Sequence, residues 1–467
     1  MKTKKAMKKI THISMAALVA IGMLGTSCNK AESPEIETPE TQKDNIVTVT
    51  TTVGFGETDT KALDINYTDK KLTKTFAEGE TMVLRYKNTK DDWVKAVSAP
   101  LTAGDITNGG KSATVTFTLT NPDKTKNVDY IYPAAIVNPA GNMNEAALFG
   151  SQDGTLNKIA STFDYSRKIG AWNGDNLPSL KLENQLAILA ITLKNADGSS
   201  DITSSIKGLT LSDGTKTYNV TREAVAGPIY VAIFPTAEAT ITVTATDGTK
   251  NYAKTLTGKT YAKGQFYQQG LKMAEIISLS GRYSSADELE IADGCILTGY
   301  GFSFSCKVSI ADGATVTLRD VKNNGDIAGC PGIKCLGDAT IILEGDNTVT
   351  GGGQYAGIYV PGDKTLTIRG TGSLNVTGGS LAAGIGGNAT GDANCGSIVI
   401  SGGTVTATGS SGAAGIGLGA NGGECKDITI SGGTVEATGS SGGAGIGLGA
   451  SGGGLQSYHH QRRHRDG

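Results

Sequence analysis

Residues 394–423 read NCGSIVISGGTVTATGSSGAAGIGLGANGG, and residues 424–453 read ECKDITISGGTVEATGSSGGAGIGLGASGG. The two blocks align without a gap and agree at 23 of 30 positions. Each holds two short β-branched runs, such as Ile428–Ile430 and Thr434–Ala437, separated by Gly-Gly, Gly-Ser and Asn-Gly turns. A block this small cannot bury an apolar face alone. Stacking copies at the inter-strand spacing of about 4.8 Å makes a continuous core. The sequence therefore predicts a coil of stacked strands.

Weaker copies continue upstream. A Gly-Ile pair marks each one, at Gly332-Ile333, Gly357-Ile358, Gly384-Ile385, Gly415-Ile416 and Gly445-Ile446, with spacings of 25, 27, 31 and 30 residues. Apolar strand centres keep step at Val316–Leu318, Ile341–Leu343, Leu366–Ile368, Ile398–Ile400 and Ile428–Ile430. These read as five turns of a right-handed parallel β-helix over residues 276–453, with Ile276–Ala292 as a cap on its open end. Propeller blades would be longer, at roughly 40–50 residues.

Residues 45–275 also read as all-β. Alternating apolar and polar residues predict strands at Ile46–Val53, Thr81–Tyr86, Ala113–Thr120, Asp129–Tyr132, Leu186–Leu193, Leu209–Leu211, Ile229–Phe234 and Ala239–Ala245. Turn clusters such as Asp213-Gly214 separate them, which suits one or two β-sandwich modules. Trp93 and Trp172 fall in this region and are expected to pack into its core or a groove.

The N-terminus is a targeting segment. Lys2, Lys4, Lys5, Lys8 and Lys9 precede the apolar run Met15–Leu24, which is too short to span a bilayer as a mature helix. The run ends in Leu24-Gly25-Thr26-Ser27-Cys28. Residues 1–28 resemble a bacterial lipoprotein signal, with Cys28 as the lipidated residue and Gly25 where an aliphatic residue is usual. An ordinary signal peptide is the alternative. Residues 29–44 are polar, acidic and Pro-containing, as a flexible tether would be. The resemblance implies anchoring to the membrane through lipid, at the outer membrane.

Net charge is −2 over 467 residues, which argues against a nucleic-acid surface. Histidine occurs at 12, 459, 460 and 464, so residues 29–453 contain none. That removes Ser-His-Asp triads and histidine metal sites from the body of the chain.

Residues 45–275 contain Phe76-Ala-Glu-Gly-Glu80, Tyr130-Ile-Tyr-Pro133, the strand Leu186–Leu193, Tyr230-Val-Ala-Ile-Phe-Pro235 and Tyr261-Ala-Lys-Gly-Gln-Phe-Tyr267. In their order and spacing these pieces resemble the fimbrillin-like family of surface lipoproteins. The resemblance implies tandem β-sandwiches and a role in fimbriae or adhesion, with fimbrial subunits as partners. It also implies activation by an arginine-specific protease that removes an early strand. Here the first arginine is Arg85, past the early strands, so such processing is not expected. The repeats I-x-I-S-G-G-T-V and A-G-I-G resemble those of β-helical carbohydrate-binding domains, which implies binding to glycans or a host surface.

Candidate sugar-binding aromatics are Tyr300, Tyr355 and Tyr359; the last two bracket Gly357-Ile358 and could flank a shallow groove, or pack at a corner. Asp312, Asp338 and Asp363 recur at one point of successive turns. They could hold Ca²⁺ for an enzyme acting on acidic polysaccharide, or cap the turns with their side chains. Arg319, Lys334, Lys364 and Arg369 form no evident triad, so binding without turnover is the expectation. A structural spacer is a further alternative. Cysteines 295, 306, 330, 335, 395 and 425 allow 15 pairings. Cys395 and Cys425 share a repeat position, so they form either a disulfide or a rung of a buried thiol ladder.

Residues 454–467, GLQSYHHQRRHRDG, break the repeat. Back-translation of the segment from Leu455 with permitted codons, shifted by one base, gives Cys-Ser-His-Ile-Thr-Ile-Ser-Gly-Gly-Thr-Val-Thr. That is the opening of another repeat, so we read the tail as a frameshift product. Sequencing the gene around codon 454 checks this. A single-base shift should restore the repeat, and its absence ends the idea.

Overall fold

Alternation decides the first module. Ile46–Phe55 (IVTVTTTVGF) and Ser112–Thr120 (SATVTFTLT) turn every second residue inward. They pair antiparallel over nine rungs, from Ile46 opposite Thr120 to Gly54 opposite Ser112. The computed structural model describes residues 44–55, 64–66, 71–73, 75–138, 140–142, 152–163, 165–280, 288–301, 307–324, 329–391, 393–451 and 454–460. Cys28, the leader and tether through residue 43, Cys306 and residues 461–467 lie outside the described residues. An eight-stranded sheet runs Trp93–Val97, Val83–Lys87, Val128–Tyr132, Ser166–Gly170, Leu180–Asn184, Ile46–Phe55, Ser112–Thr120, Ile106–Thr107. Its core joins Val53, Phe55, Leu84, Tyr86, Phe117, Tyr130 and Leu182. Phe55 stacks on Phe76 with ring centres 4.2 Å apart.

Trp172 packs against this core as expected. Trp93 does not: it is 39% exposed on an edge strand, with the Arg85 guanidinium 4.4 Å and the Lys87 ammonium 5.0 Å from its ring centre. Its cross-strand partner is Lys87, so the ring covers cations instead of filling the interior. Arg85 is itself 7% exposed and faces Asp129, which places the first arginine of the chain out of a protease's easy reach.

The second module is a two-sheet sandwich. Ile229–Ile233, Ala187–Lys194 and Phe266–Lys272 form one sheet. Thr217–Thr221, Gly208–Ser212, Thr236–Thr246 and Asn251–Tyr261 begin the other, and Leu189, Ile191, Leu209, Leu211, Val231 and Val243 fill the space between. The turn at 246–251 shows why Asp-Gly closes such hairpins. Asp247 Oδ1 accepts the amides of Thr249 and Lys250 at 2.8 and 2.7 Å, and Gly248 takes φ +96. These bonds hold the Asp247 carboxyl down at about 2.

Residue 275 is not a break between folding units. The strand Ala274–Ser278 pairs antiparallel with Asn251–Tyr261 and parallel with Ile296–Gly301. One sheet therefore passes from the sandwich into the coil. The edge of the first turn is covered by the sandwich, and Leu279 is buried in the coil's core.

Beyond it the chain forms a parallel β-helix with three faces. The third face stacks Ile333–Cys335, Ile358–Tyr359, Ile385–Gly386, Ile416–Gly417 and Ile446–Gly447, and it begins two strands earlier, at Glu288–Ile291 and Lys307–Ile310. The coil is thus longer than the five marked turns. The Gly-Ile pairs fall in strict register: Ile333, Ile358, Ile385, Ile416 and Ile446 lie one on another. The strand centres differ at one step. Ile341 lies on Ile368, and Leu366 lies on Ala339, two residues from the expected alignment. At the far end Leu455 sits against Cys425, and Tyr458 and His460 sit against Ile428 and Ile430. Those rungs are where the shifted reading frame puts Cys, Ile and Ile.

The glycine before each isoleucine is a steric requirement. A Cβ on Gly415 would lie 2.7 Å from the Ala407 carbonyl oxygen and the Thr438 amide nitrogen, and 2.8 Å from the Gly445 carbonyl oxygen. All are backbone atoms of neighbouring strands, so none can give way cheaply. Gly415→Ala should destabilise the fold by about 1–3 kcal/mol, the usual cost of overpacking. Gly104→Ala, whose Cβ meets only Thr102 Oγ1 at 3.8 Å, should be nearly neutral. Thermal unfolding of the two variants checks the contrast.

Candidate functional site: a groove on the coil

Outward positions rank along the coil as strictly as inward ones. On the third face one rank runs Glu290, Ser309, Lys334, Tyr359, Gly386, Gly417, Gly447. The upper members have no side chain; the lower ones do. Two adjoining hollows of about 370 and 410 Å³ open over the lower turns. Pro331, Lys334, Leu336 and Tyr355 line both, so they form one groove. Glu288 and Lys307 bound one end, and Tyr359, Asn388 and Thr390 the other.

Tyr355 is half-buried, and its ring lies beside Gly329, where an added Cβ would come within 3.5 Å. Tyr359 also lines the groove but is only 5% exposed, so most of it serves as packing. The structure therefore brings these two predicted tyrosines together and gives them unequal roles. Tyr300 falls in the strand Ile296–Gly301, in register with Lys322 of the neighbouring strand.

Two further residues line the groove: Lys334, weighed in the sequence only as a catalytic base, and Asn388, which the sequence did not mark. Lys334 projects from the centre of Ile333–Cys335, and among the described residues its ammonium has no carboxylate partner. Asn388 is 5% exposed, and its Oδ1 accepts the Ala356 amide at 2.9 Å. That bond fixes the side-chain orientation. Asn388 Nδ2 then has no protein acceptor among the described residues, in a side chain that lines the groove.

The aspartate column forms, but as a set of caps. Asp312 Oδ1 accepts the Asp338 amide at 2.8 Å, and Asp338 Oδ1 accepts the Thr365 amide at 2.7 Å. Asp293 does the same for Thr315 at 2.7 Å. Each carboxylate thus satisfies a backbone donor of the next turn. Gly337 makes room: a Cβ there would fall 1.7 Å from Asp312 Oδ1. Asp363 pairs with Lys364 at 3.3 Å. The Lys364 ammonium is held above its usual range by Asp363 first, then by Asp312 and Asp338, so the column carries its own cation. Among the described residues no three carboxylates converge as a metal cage. Of the two readings of the column, Ca²⁺ ligation and turn capping, Asp312 and Asp338 take the capping role, and Asp363 pairs with Lys364.

Cys395 and Cys425 are neighbours across a parallel bridge, both buried and both free thiols. Stacked parallel strands point equivalent side chains the same way, so proximity does not aim one sulfur at the other. The Cys395 thiol is pushed up by its contact with Cys425 and by burial, and burial alone pushes Cys335 up to about 12. Such thiols are poor nucleophiles. Iodoacetamide at pH 8 should leave Cys335, Cys395 and Cys425 unmodified in native protein and alkylate all three in denaturant without reductant. Mass spectrometry of the peptides reads both states.

The family model that matches describes a beta helix repeat, over residues 398–420 and 428–450. A search of curated proteins gave no match. Among solved structures, a candidate cell adhesion protein from Bacteroides fragilis aligns at 11% identity and a TM-score of 0.28, covering 48% of this chain and 92% of that one. A fimbrial assembly protein from Parabacteroides distasonis aligns at 11% identity and a TM-score of 0.26, covering 50% and 95%.

Proposed function

We propose that this chain is a lipid-anchored cell-surface protein, an adhesin or accessory fimbrial component, whose β-helix binds glycan without turning it over. The groove over the lower turns carries this reading. It is concave, has an aromatic face in Tyr355 and an apolar wall in Leu336 and Pro331, and holds a few fixed polar groups. Its strands offer no free backbone edge, since Ile333–Cys335 and Ile358–Tyr359 are paired on both sides. Recognition there falls to side chains, as it does for a sugar.

Turnover would need a placed acid or base beside the ligand. The carboxylate that lines the groove, Glu288, is paired with Lys307 at 2.9 Å. The aspartates of the neighbouring corner are engaged with backbone amides. A binding role suits such a surface better than a lyase does.

The test is a glycan panel presented to the chain from residue 29, with product release followed in the same samples. Saturable binding to one class without new chain ends is the expected result. Tyr355→Ala should weaken it by about tenfold or more, the scale of losing one well-placed aromatic contact. New chain ends would favour the polysaccharide-degrading alternative, and no binding to any glycan would leave a spacer.

A further inference from the structure

We infer that the groove selects a saccharide bearing a carboxylate, with Lys334 as its charge partner and Asn388 as an oriented donor. This rests on the glycan reading above and goes on to name the class of sugar.

The charge pattern around the groove is uneven. Of the two lysines that line it, Lys307 is paired with Glu288 at 2.9 Å. Lys334 lines both hollows, yet among the described residues no carboxylate reaches it. An ammonium with no carboxylate partner among the described residues is open to an anion from outside.

Asn388 is the independent observation. Its side chain is nine-tenths buried, and the Ala356 amide occupies its oxygen. Asn388 lines the same hollow as Lys334, and with its oxygen engaged its nitrogen offers two N–H donors that have no protein acceptor among the described residues. An ammonium and an amide NH₂ lining one hollow are complementary to a group with two acceptor oxygens and a negative charge. A carboxylate on a sugar ring supplies both, while the ring's C–H face rests on Tyr355.

Galacturonic acid oligomers, their methyl esters, neutral galactose oligomers and sulfated galactose oligomers would be titrated calorimetrically into the same chain, without calcium. The acid should bind about tenfold or more tightly than its methyl ester, the scale of a charge-assisted hydrogen bond. Lys334→Gln should bring that ratio close to one. Lys334→Arg should keep the preference. Asn388→Asp retains the acceptor for Ala356 but removes the donor, and it should weaken the acid selectively. Equal binding of acid and ester, or a preference that survives Lys334→Gln, would overturn the inference and leave the glycan reading standing. Tighter binding of the sulfated oligomer than the acid would overturn the carboxylate assignment. Failure of every oligomer and of the wider panel would remove the glycan reading itself.

Discussion

In-register stacking of parallel strands is the constraint on which the C-terminal half depends. Every residue sits on its counterpart one turn below, so whatever occupies a position must be compatible with itself. Inward ranks satisfy this with isoleucine on isoleucine, from Ile333 to Ile446, all but the last fully buried. Buried apolar surface of this kind contributes roughly 25 cal/mol per Å². The backbone must also close each turn against its neighbour, which explains glycine at 357, 384 and 415, where a Cβ would strike main chain on the next turn. Outward ranks obey the same rule. Aspartates at consecutive corners tolerate one another because each accepts an amide from the turn beyond and Lys364 sits among them.

A stack needs a first strand, and here the sandwich provides it. Ala274–Ser278 belongs to both bodies, so the register of the coil is set by an existing sheet edge. The arrangement removes one of the two exposed edges that a free coil would present. By backbone contacts the chain from Asn45 onward forms one unit. A load applied to the coil is therefore passed through a hydrogen-bonded sheet.

Much of this was legible in sequence, because repetition is direct evidence of stacking. The Gly-Ile pairs located every turn they marked. The alignment slipped by two residues only at Ile341, where Ala339, Ile341 and Leu343 alternate so evenly that either partner for Leu366 fits the pattern. Strands such as Leu180–Asn184 were missed because LKLEN has little β-branched character. The groove was half legible. Tyr355 and Tyr359 were found because aromatics are conspicuous. Lys334 was weighed only as a catalytic base, because what distinguishes it is the lack of a partner, which is a property of the packed surroundings. Asn388 matters for the bond its oxygen makes to Ala356, 32 residues away. The aspartate column was seen as a column and capping was one of its two readings; which amides Asp312 and Asp338 accept is set by where the backbone of the next turn points.

The distribution of chemistry along the coil follows from the same constraint. Residues 394–453 repeat most strictly, and their third-face rank is glycine on glycine, with Gly417 pressed so close to Gly447 that a Cβ would lie 1.9 Å from its carbonyl oxygen. No side chain can project there. The turns at 333 and 358 have shorter and unequal periods, and they carry Lys334 and Tyr359 on the equivalent rank. Departure from the repeat is what admits side chains and opens the groove. The regular turns supply length, and the irregular ones carry the side chains that line the groove. A ligand-binding surface on a stacked coil is therefore to be sought where the repeat is weakest.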